Sequence, residues 1–196
     1  MPRSVDHAQQ RQHIATAAYR VLARSGLDGL TMRAIAAEAG CTTGLVTHYF
    51  ASKRELVSAA LDHIRAAHDE RARARIAGDP SDPAAALAEL LPLDEQRASE
   101  LRVWLGFYAA AVADTQLRRQ HAQIYADWRA ELAAGLHNAG VPAGPDQEEL
   151  VDHLVVALNG LVVQAVLDTG HWTPQRQRRE LDRLVAEALT HRRQPR

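Results

Sequence analysis

The chain has 196 residues, of which 46% are hydrophobic and 24% charged, a balance typical of a soluble globular protein that can bury a core. Its formal net charge of -1 gives no overall basicity that would indicate a nucleic-acid-binding protein, so the distribution of charge along the chain matters more. A single cysteine, Cys41, excludes an intramolecular disulfide and a cysteine-based metal cluster. We read Cys41 as a packing residue in a turn, and a redox role for its thiol stays open.

The first predicted helix covers about residues 7–25. Apolar residues recur along it at helical spacing and predict one buried face: Ile14, Ala18, Val21 and Leu22. Gly26 is expected to end this helix, and a short turn then leads to Thr31.

Two short helices joined by a tight turn are predicted over residues 31–50. Thr31 is the expected N-cap of the first, and Gly40 is expected to end it in a left-handed conformation. The second covers about residues 43–50, and its exposed side carries short polar groups and a glycine. Such a surface fits the major groove of DNA, where threonine can meet base edges and glycine allows close approach. We therefore expect base contacts from Thr42, Thr43, Gly44, Thr47 and His48.

Phosphate contacts are expected from four neighbouring residues: Thr31, Arg33, Tyr49 and Lys53. The free N–H groups beside a capping threonine form a ready site for a phosphate oxygen. Ser52 and Glu55 have the spacing of a capping box, so a third helix should begin where Lys53 presents its charge. Residues 1–56 carry seven basic and four acidic groups, a net charge of +3, whereas the remainder carries -4. The positive end of the chain thus coincides with the predicted DNA-binding helices.

The same segment resembles the DNA-binding signature of the TetR family of bacterial transcriptional regulators. The residues that carry the resemblance are Gly40, Gly44, Tyr49, Phe50, Ser52, Lys53, Glu55 and Leu56. It implies an all-α fold, in which a three-helix helix-turn-helix domain precedes a larger helical domain that binds ligand and forms a homodimer. We place the DNA-binding domain at residues 1–56 and the larger domain at residues 57–196.

Every segment of the larger domain reads as helix, with no strand-like alternation and no repeat of fixed period. The predicted helices cover about residues 52–77, 84–91, 95–113, 115–138, 146–168 and 174–191. The stretch 65–75 is charged on nearly all sides and is expected to form a solvated face. His63 and His68 lack a further ligand for a metal and are expected to face solvent, so neither a metal nor a cofactor is predicted.

The helix predicted over residues 146–168, with Asp146 as its cap, is apolar on almost every face. A soluble helix of this kind has two partners to satisfy, so one face should line the core and the other should meet a second subunit. A membrane span is not expected, because polar residues interrupt the apolar run: Asp152, His153, Asn159 and Gln164. The N-terminal stretch does not resemble a signal peptide, and we expect a cytoplasmic protein.

Two further segments resemble a BetI-type C-terminal domain, namely residues 101–136 and the stretch from Asn159 to Gln177. A pocket among these helices would have aromatic walls and a few polar groups: Trp104, Phe107, Tyr108, Tyr125, Trp128, Asn159, Gln164 and Asp168. Aromatic faces beside a carboxylate suit an ammonium or polyamine cation, since the ring quadrupole attracts positive charge. The same aromatic spacing also fits an ordinary hydrophobic core, and the sequence leaves both interpretations open.

The leading interpretation is a ligand-responsive transcriptional repressor. The resemblance implies a homodimer, joined through its last two helices, that binds a palindromic operator in double-stranded DNA and leaves it when a small molecule binds. An activator or a ligand-independent regulator on the same scaffold is the first alternative. An all-helical enzyme is the second, and it is disfavoured because the chain lacks a nucleophile elbow, a zinc-protease motif and a phosphate-binding glycine loop.

Overall fold

The structure is a computed structural model that describes residues 3–78 and 83–190, and over these ranges it is helical without strands, as predicted. Nine α-helices and one 3-10 helix (Ala88–Leu90) occupy the described ranges. The α-helices are α1 (Arg3–Gly29), α2 (Met32–Glu38), α3 (Thr43–Tyr49), α4 (Lys53–Gly78), α5 (Pro83–Leu87), α6 (Glu95–Ala113), α7 (Thr115–Asn138), α8 (Pro145–Leu167) and α9 (Pro174–Thr190).

Two helix starts differ from the sequence prediction. Helix α1 begins at Arg3, before its predicted start, whereas Gly26 breaks it where predicted, since its φ of 63° is non-helical and separates off a short segment that ends at Gly29. Asp146 does not cap α8, because Gly144 occupies the N-cap position and Pro145 follows as the first helical residue. A proline there lacks only an N–H that would have had no helical partner, so the helix can begin without a side-chain cap.

The chain forms two compact units. The described residues of Met1–Asp69 and Ser99–Ala113 make the first, and those of Glu70–Ala98 and Asp114–Arg196 make the second. Helices α4 and α6 contribute residues to both units. The domain limits predicted from the sequence stay a prediction.

The first unit is organised around the packing of α1 on α2 and of α2 on α3. Its most deeply buried large side chains come from the four N-terminal helices, the turn residues Leu30 and Phe50, and α6: Ile14, Leu30, Ile35, Val46, Phe50, Leu56, Leu61, Ile64 and Phe107. Each such side chain stabilises the fold by roughly 1.5–3 kcal/mol relative to exposure. The short α3 therefore sits on a core that α1, α2 and α4 complete.

The core of the second unit is a cluster of small and branched side chains: Ala88, Leu91, Leu158, Leu161 and Leu181. Trp128 and Trp172 pack against this cluster. Helix α8 supplies its centre but also exposes Val156 and Leu167, which are 72% and 73% accessible in the single chain. By length and apolar composition α8 alone among the described helices could cross a membrane, with a mean hydropathy of 1.9, a test that core helices of soluble proteins also pass.

Residues 65–75 are exposed or half-exposed, as predicted, with the exception of His68, which was expected to face solvent. His68 is buried, and its Nε2 lies 2.9 Å from the Oε2 of Glu100, which is also buried. Glu89 is 4% exposed and pairs with three guanidinium groups, those of Arg71, Arg75 and Arg97. Charges that a local pattern assigns to solvent are therefore held by partners distant in sequence, as buried charges require.

Candidate nucleic-acid interface and ligand-binding residues

Helix α2, the first helix of the helix-turn-helix, is fixed at both of its ends. Thr31 caps α2 as predicted, since its Oγ1 accepts a hydrogen bond from the N–H of Ala34 at 3.1 Å. Gly40 has a φ of 61°, and the N–H of Cys41 donates to the carbonyl of Ala36 at 2.9 Å. This is a Schellman ending, and only glycine adopts its left-handed residue without steric cost.

Thr42 is both a predicted base-reading residue and the N-cap of α3. Its Oγ1 accepts from the N–H of Leu45 at 3.2 Å, which leaves the hydroxyl proton directed away from that bond. The first-turn N–H groups of α3 thus begin at the surface that was predicted to meet DNA.

All five predicted base-reading residues are exposed on one short helix and its cap: Thr42, Thr43, Gly44, Thr47 and His48. Val46 and Phe50 are fully buried and hold the opposite side of α3 against the core. The Oγ1 of Thr47 donates to the carbonyl of Gly44 at 3.0 Å, so its methyl group and oxygen lone pairs are left for a partner. Such a face can offer hydrogen-bonding groups and an apolar methyl to base edges without bulk.

The four predicted phosphate residues lie at the start of α2, at the end of α3 and at the start of α4. Thr31, Arg33 and Lys53 are exposed, whereas Tyr49 is half-buried with its hydroxyl 2.8 Å from the Nδ1 of His7. Lys53 is the first residue of α4, and the capping box predicted there forms in part. The N–H of Glu55 donates to Ser52 Oγ at 3.2 Å, and the Glu55 carboxylate accepts from the N–H of Ala51 at 3.0 Å.

Sequence reasoning missed three residues of α1 that make long-range contacts with the helix-turn-helix, besides Arg20 and Arg24, which pair with Glu38 on α2. His13 Nε2 lies 2.9 Å from the carbonyl of Ala39 at the end of α2. His7 contacts Tyr49, and Arg11 donates to the backbone carbonyl of the same residue. No local motif announces these contacts, because their partners lie 26 to 42 residues away in the chain.

The predicted ligand-binding residues of the first unit form one aromatic group. Trp104, Phe107 and Tyr108 lie on α6 with ring centroids 5.6 to 6.2 Å apart. Trp104 and Phe107 are buried and Tyr108 is half-buried. Tilted and edge-on contacts at these distances are favourable for aromatic rings.

In the second unit, Tyr125 joins two helices through its hydroxyl. That hydroxyl donates to Oδ1 of Asn159 at 2.6 Å, and the Asn159 amide donates in turn to the carbonyl of Val155. The ring of Tyr125 is stacked on His121 at 4.2 Å and meets Trp128 edge-on at 5.5 Å. Desolvation lowers the pKa of His121, and the positive charge of Arg129 adds to that effect. The neutral form of His121 is therefore favoured beside these rings.

Gln164 and Asp168 are exposed in the single chain. Asp168 follows the end of α8, and its Oδ1 accepts from the N–H of His171 at 3.1 Å. A separate cleft of about 390 Å³ in the second unit contains none of the predicted ligand-binding residues and is lined by the Glu89 pairs and their neighbours. Which of the predicted residues contact a ligand stays a prediction.

Two family models match this chain, one over its N-terminal helices and one over its C-terminal helices. Residues 14–60 match the model for bacterial regulatory proteins of the TetR family, and residues 83–190 match that for the C-terminal domain of BetI-type transcriptional repressors. The chain belongs to the TetR family. It is thus a DNA-binding transcriptional regulator of the ligand-responsive type, as predicted, and regulators of this family bind operator DNA and dimerise.

Curated relatives and solved structures match this chain over most of its length. The transcriptional regulator PksA of Bacillus subtilis is 28% identical over 86% of this chain and 84% of its own length. The regulator BetI of Rhizobium meliloti is 29% identical over 87% and 84%. The crystal structure of a transcriptional regulator from Rhodococcus sp. Rha1 is 29% identical, covers 92% of this chain and 96% of its own, and superposes with a TM-score of 0.80.

A likeness of fold alone links the chain to a regulator from Saccharomonospora viridis. Its structure, solved in complex with choline, is 22% identical, covers 91% of this chain and 96% of its own, and has a TM-score of 0.73.

Proposed function

We propose that this TetR-family regulator is a cytoplasmic, non-catalytic homodimeric repressor that leaves a palindromic operator when a small molecule binds its C-terminal helices. The observation that carries the proposal is the exposed face of α3, from Thr42 to His48, held by a buried opposite side. Thr42, Thr43, Gly44, Thr47 and His48 read base edges, and Thr31, Arg33, Tyr49 and Lys53 bind phosphates. An activator on the same scaffold shares all of these residues, so the direction in which the bound protein changes transcription is what distinguishes the repressor.

Dimerisation is assigned to α8 and α9. Val156, Gly160 and Leu167 are exposed and recur at intervals of four and seven residues, so they share one face of α8. An exposed apolar stripe of this kind in a soluble protein is typical of an interface. Two-fold symmetry then places one α3 on each half of a palindrome, with half-sites about 34 Å apart.

Fluorescence anisotropy tests operator binding directly. The duplex is one enriched by the purified protein from a random 30-base-pair library, and the control is the same duplex scrambled. The enriched duplex should bind at least about a thousandfold more tightly at physiological salt. Lys53→Ala should weaken binding to both duplexes and reduce the magnitude of the salt slope by about 0.9 for each phosphate that the lysine neutralises. Equal affinity of the wild-type protein for both duplexes would contradict the proposal.

The effector is proposed to be a cationic amine. Aromatic rings are available in each unit, as Trp104, Phe107 and Tyr108 in one and Tyr125 and Trp128 in the other, with Asn159, Gln164 and Asp168 as polar groups. A ring face attracts a quaternary ammonium group most strongly where water is excluded. The fold is shared with a protein that was crystallised with choline.

Comparing choline with 3,3-dimethylbutan-1-ol, an uncharged compound of the same shape, shows whether the positive charge is required for release. Choline should release the protein from the enriched duplex, and the isostere should not, because it lacks the cation that the rings attract. Asp168→Asn should weaken the response to choline while leaving the affinity for DNA unchanged. Equal release by both compounds, or release by neither, would overturn the amine proposal.

A further inference from the structure

Arg11 on α1 makes two contacts with the end of the proposed recognition helix. Its Nη1 donates to the carbonyl of Tyr49, the last residue of α3, at 2.8 Å. Its guanidinium carbon lies 4.3 Å from the ring centroid of Phe50, the fully buried residue that follows. One planar cation thus holds both the last carbonyl of α3 and the side chain that anchors its C-cap.

The charge of Arg11 is also felt on α4. Burial raises the pKa of the Asp62 carboxyl, and the positive charges of Arg65 and Arg11 act in the opposite direction. Arg11 therefore interacts with α3 and with α4 from its position on α1, and all these residues belong to the same compact unit.

A helix of seven residues depends on such contacts for its position. Two turns of helix are too short to be stable alone, so the surrounding structure sets where α3 begins and ends. Thr42 fixes its first turn by capping. At the other end a cation is favourable beside the unpaired carbonyls of the last turn, and Arg11 supplies one.

We propose that Arg11 is a positioning residue for sequence recognition, which holds the C-terminal end of α3 and the chain from Tyr49 to Lys53 without itself contacting DNA. The inference rests on the proposed reading of bases by α3. Its consequence is that loss of Arg11 impairs discrimination between DNA sequences more than it impairs general affinity for DNA.

Arg24 provides a matched control on the same helix. It is exposed, like Arg11, and its Nη1 lies 3.1 Å from Glu38 Oε2 on α2, so it bridges α1 to the helix that precedes the recognition helix. Arg11→Gln and Arg24→Gln remove the same charge from the same helix. A difference between them therefore reports position and not net charge.

The experiment compares four proteins, the wild type, Arg11→Gln, Arg11→Lys and Arg24→Gln, by anisotropy on the enriched and scrambled duplexes across a salt series. Arg11→Gln should lose about tenfold in affinity for the enriched duplex relative to Arg24→Gln, with equal affinity for the scrambled duplex and an equal salt slope. Arg11→Lys should bind the enriched duplex several-fold more weakly than the wild type. The compact ammonium group of lysine cannot stack on the Phe50 ring and donate to the Tyr49 carbonyl at the same time, as the planar guanidinium does.

Hydrogen exchange of the free proteins supplies a second readout. Peptides covering residues 47–56 should exchange faster in Arg11→Gln than in Arg24→Gln, since the end of α3 is released. Full recovery by Arg11→Lys, a salt slope reduced by about 0.9 in Arg11→Gln alone, or unchanged exchange over residues 47–56 would each overturn the inference. Failure of the proposed function itself is distinguishable, because the wild-type protein would then not discriminate between the duplexes.

Discussion

Gly44 is the smallest residue on the exposed face of α3, although the packing within the chain would allow a larger residue there. A Cβ built at this position meets only Thr42 Oγ1, at an ordinary contact distance of 3.8 Å. Glycine within a helix costs about 0.5–1 kcal/mol relative to alanine. We propose that glycine is present here because it allows DNA to approach the backbone closely.

Gly44→Ala should accordingly raise stability and lower affinity for DNA. We expect thermal unfolding at a fixed protomer concentration to show a gain of about 0.5–1 kcal/mol, and the enriched duplex to bind about tenfold more weakly because the methyl group meets DNA. Gly135→Ala on α7 is the control, since a Cβ there meets nothing within 4 Å. Unchanged affinity in Gly44→Ala would mean that this residue does not face the groove.

At the scale of secondary structure, single polar residues cap the starts of several helices, and Asp94, which precedes α6, bonds the first turn of that helix. Its Oδ1 accepts from the N–H of Arg97 at 2.9 Å, and its Oδ2 accepts from the Arg97 side chain. Chiefly because of the backbone hydrogen bond, the pKa of the Asp94 carboxyl lies below its usual value. A lowered pKa of an acid adds stability above the unfolded-state pKa, and that stability is lost as pH falls through the folded-state pKa.

Asp94→Ala should therefore destabilise the protein by about 1 kcal/mol at pH 7, and by progressively less once the pH falls below about 4. Urea unfolding at a fixed protomer concentration across that range measures the difference. Asp94→Asn, which retains an acceptor but loses the charge, should cost less. An equal cost for Asp94→Ala at pH 7 and at the acidic end would contradict the assignment.

Helix limits were predicted well where breakers and caps are local. The limits of α6 and α7 agree with those predicted, because Pro92 precedes α6 and Asp114 caps α7. The predicted start of α8 was wrong, because Asp146 has the side chain of a typical N-cap, whereas the helix begins at the preceding pair Gly144-Pro145. The exposed face of α3 was also predictable, because helical spacing assigns its buried residues and leaves the rest outside.

For the whole molecule, what the sequence did not predict are contacts between residues far apart in the chain. His68 was expected in solvent and is buried against Glu100, 32 residues away. The pairing of Glu89 with Arg71 and Arg75, and the contact of Arg11 with Tyr49, are of the same kind. Periodicity reports which side of a helix is apolar, but it carries no information on which charged residue finds a buried partner.

The central claim, that two copies of α3 read a palindrome through their exposed faces, is tested most directly by sequencing duplexes selected by the wild type and by Thr47→Ala. The wild type should enrich a palindrome whose half-sites lie about 34 Å apart. Thr47→Ala should lose preference at one or two base pairs in each half-site and retain the others, since each base contact contributes about 1–3 kcal/mol of discrimination. An identical motif for both proteins, or no palindrome with the wild type, would contradict the account.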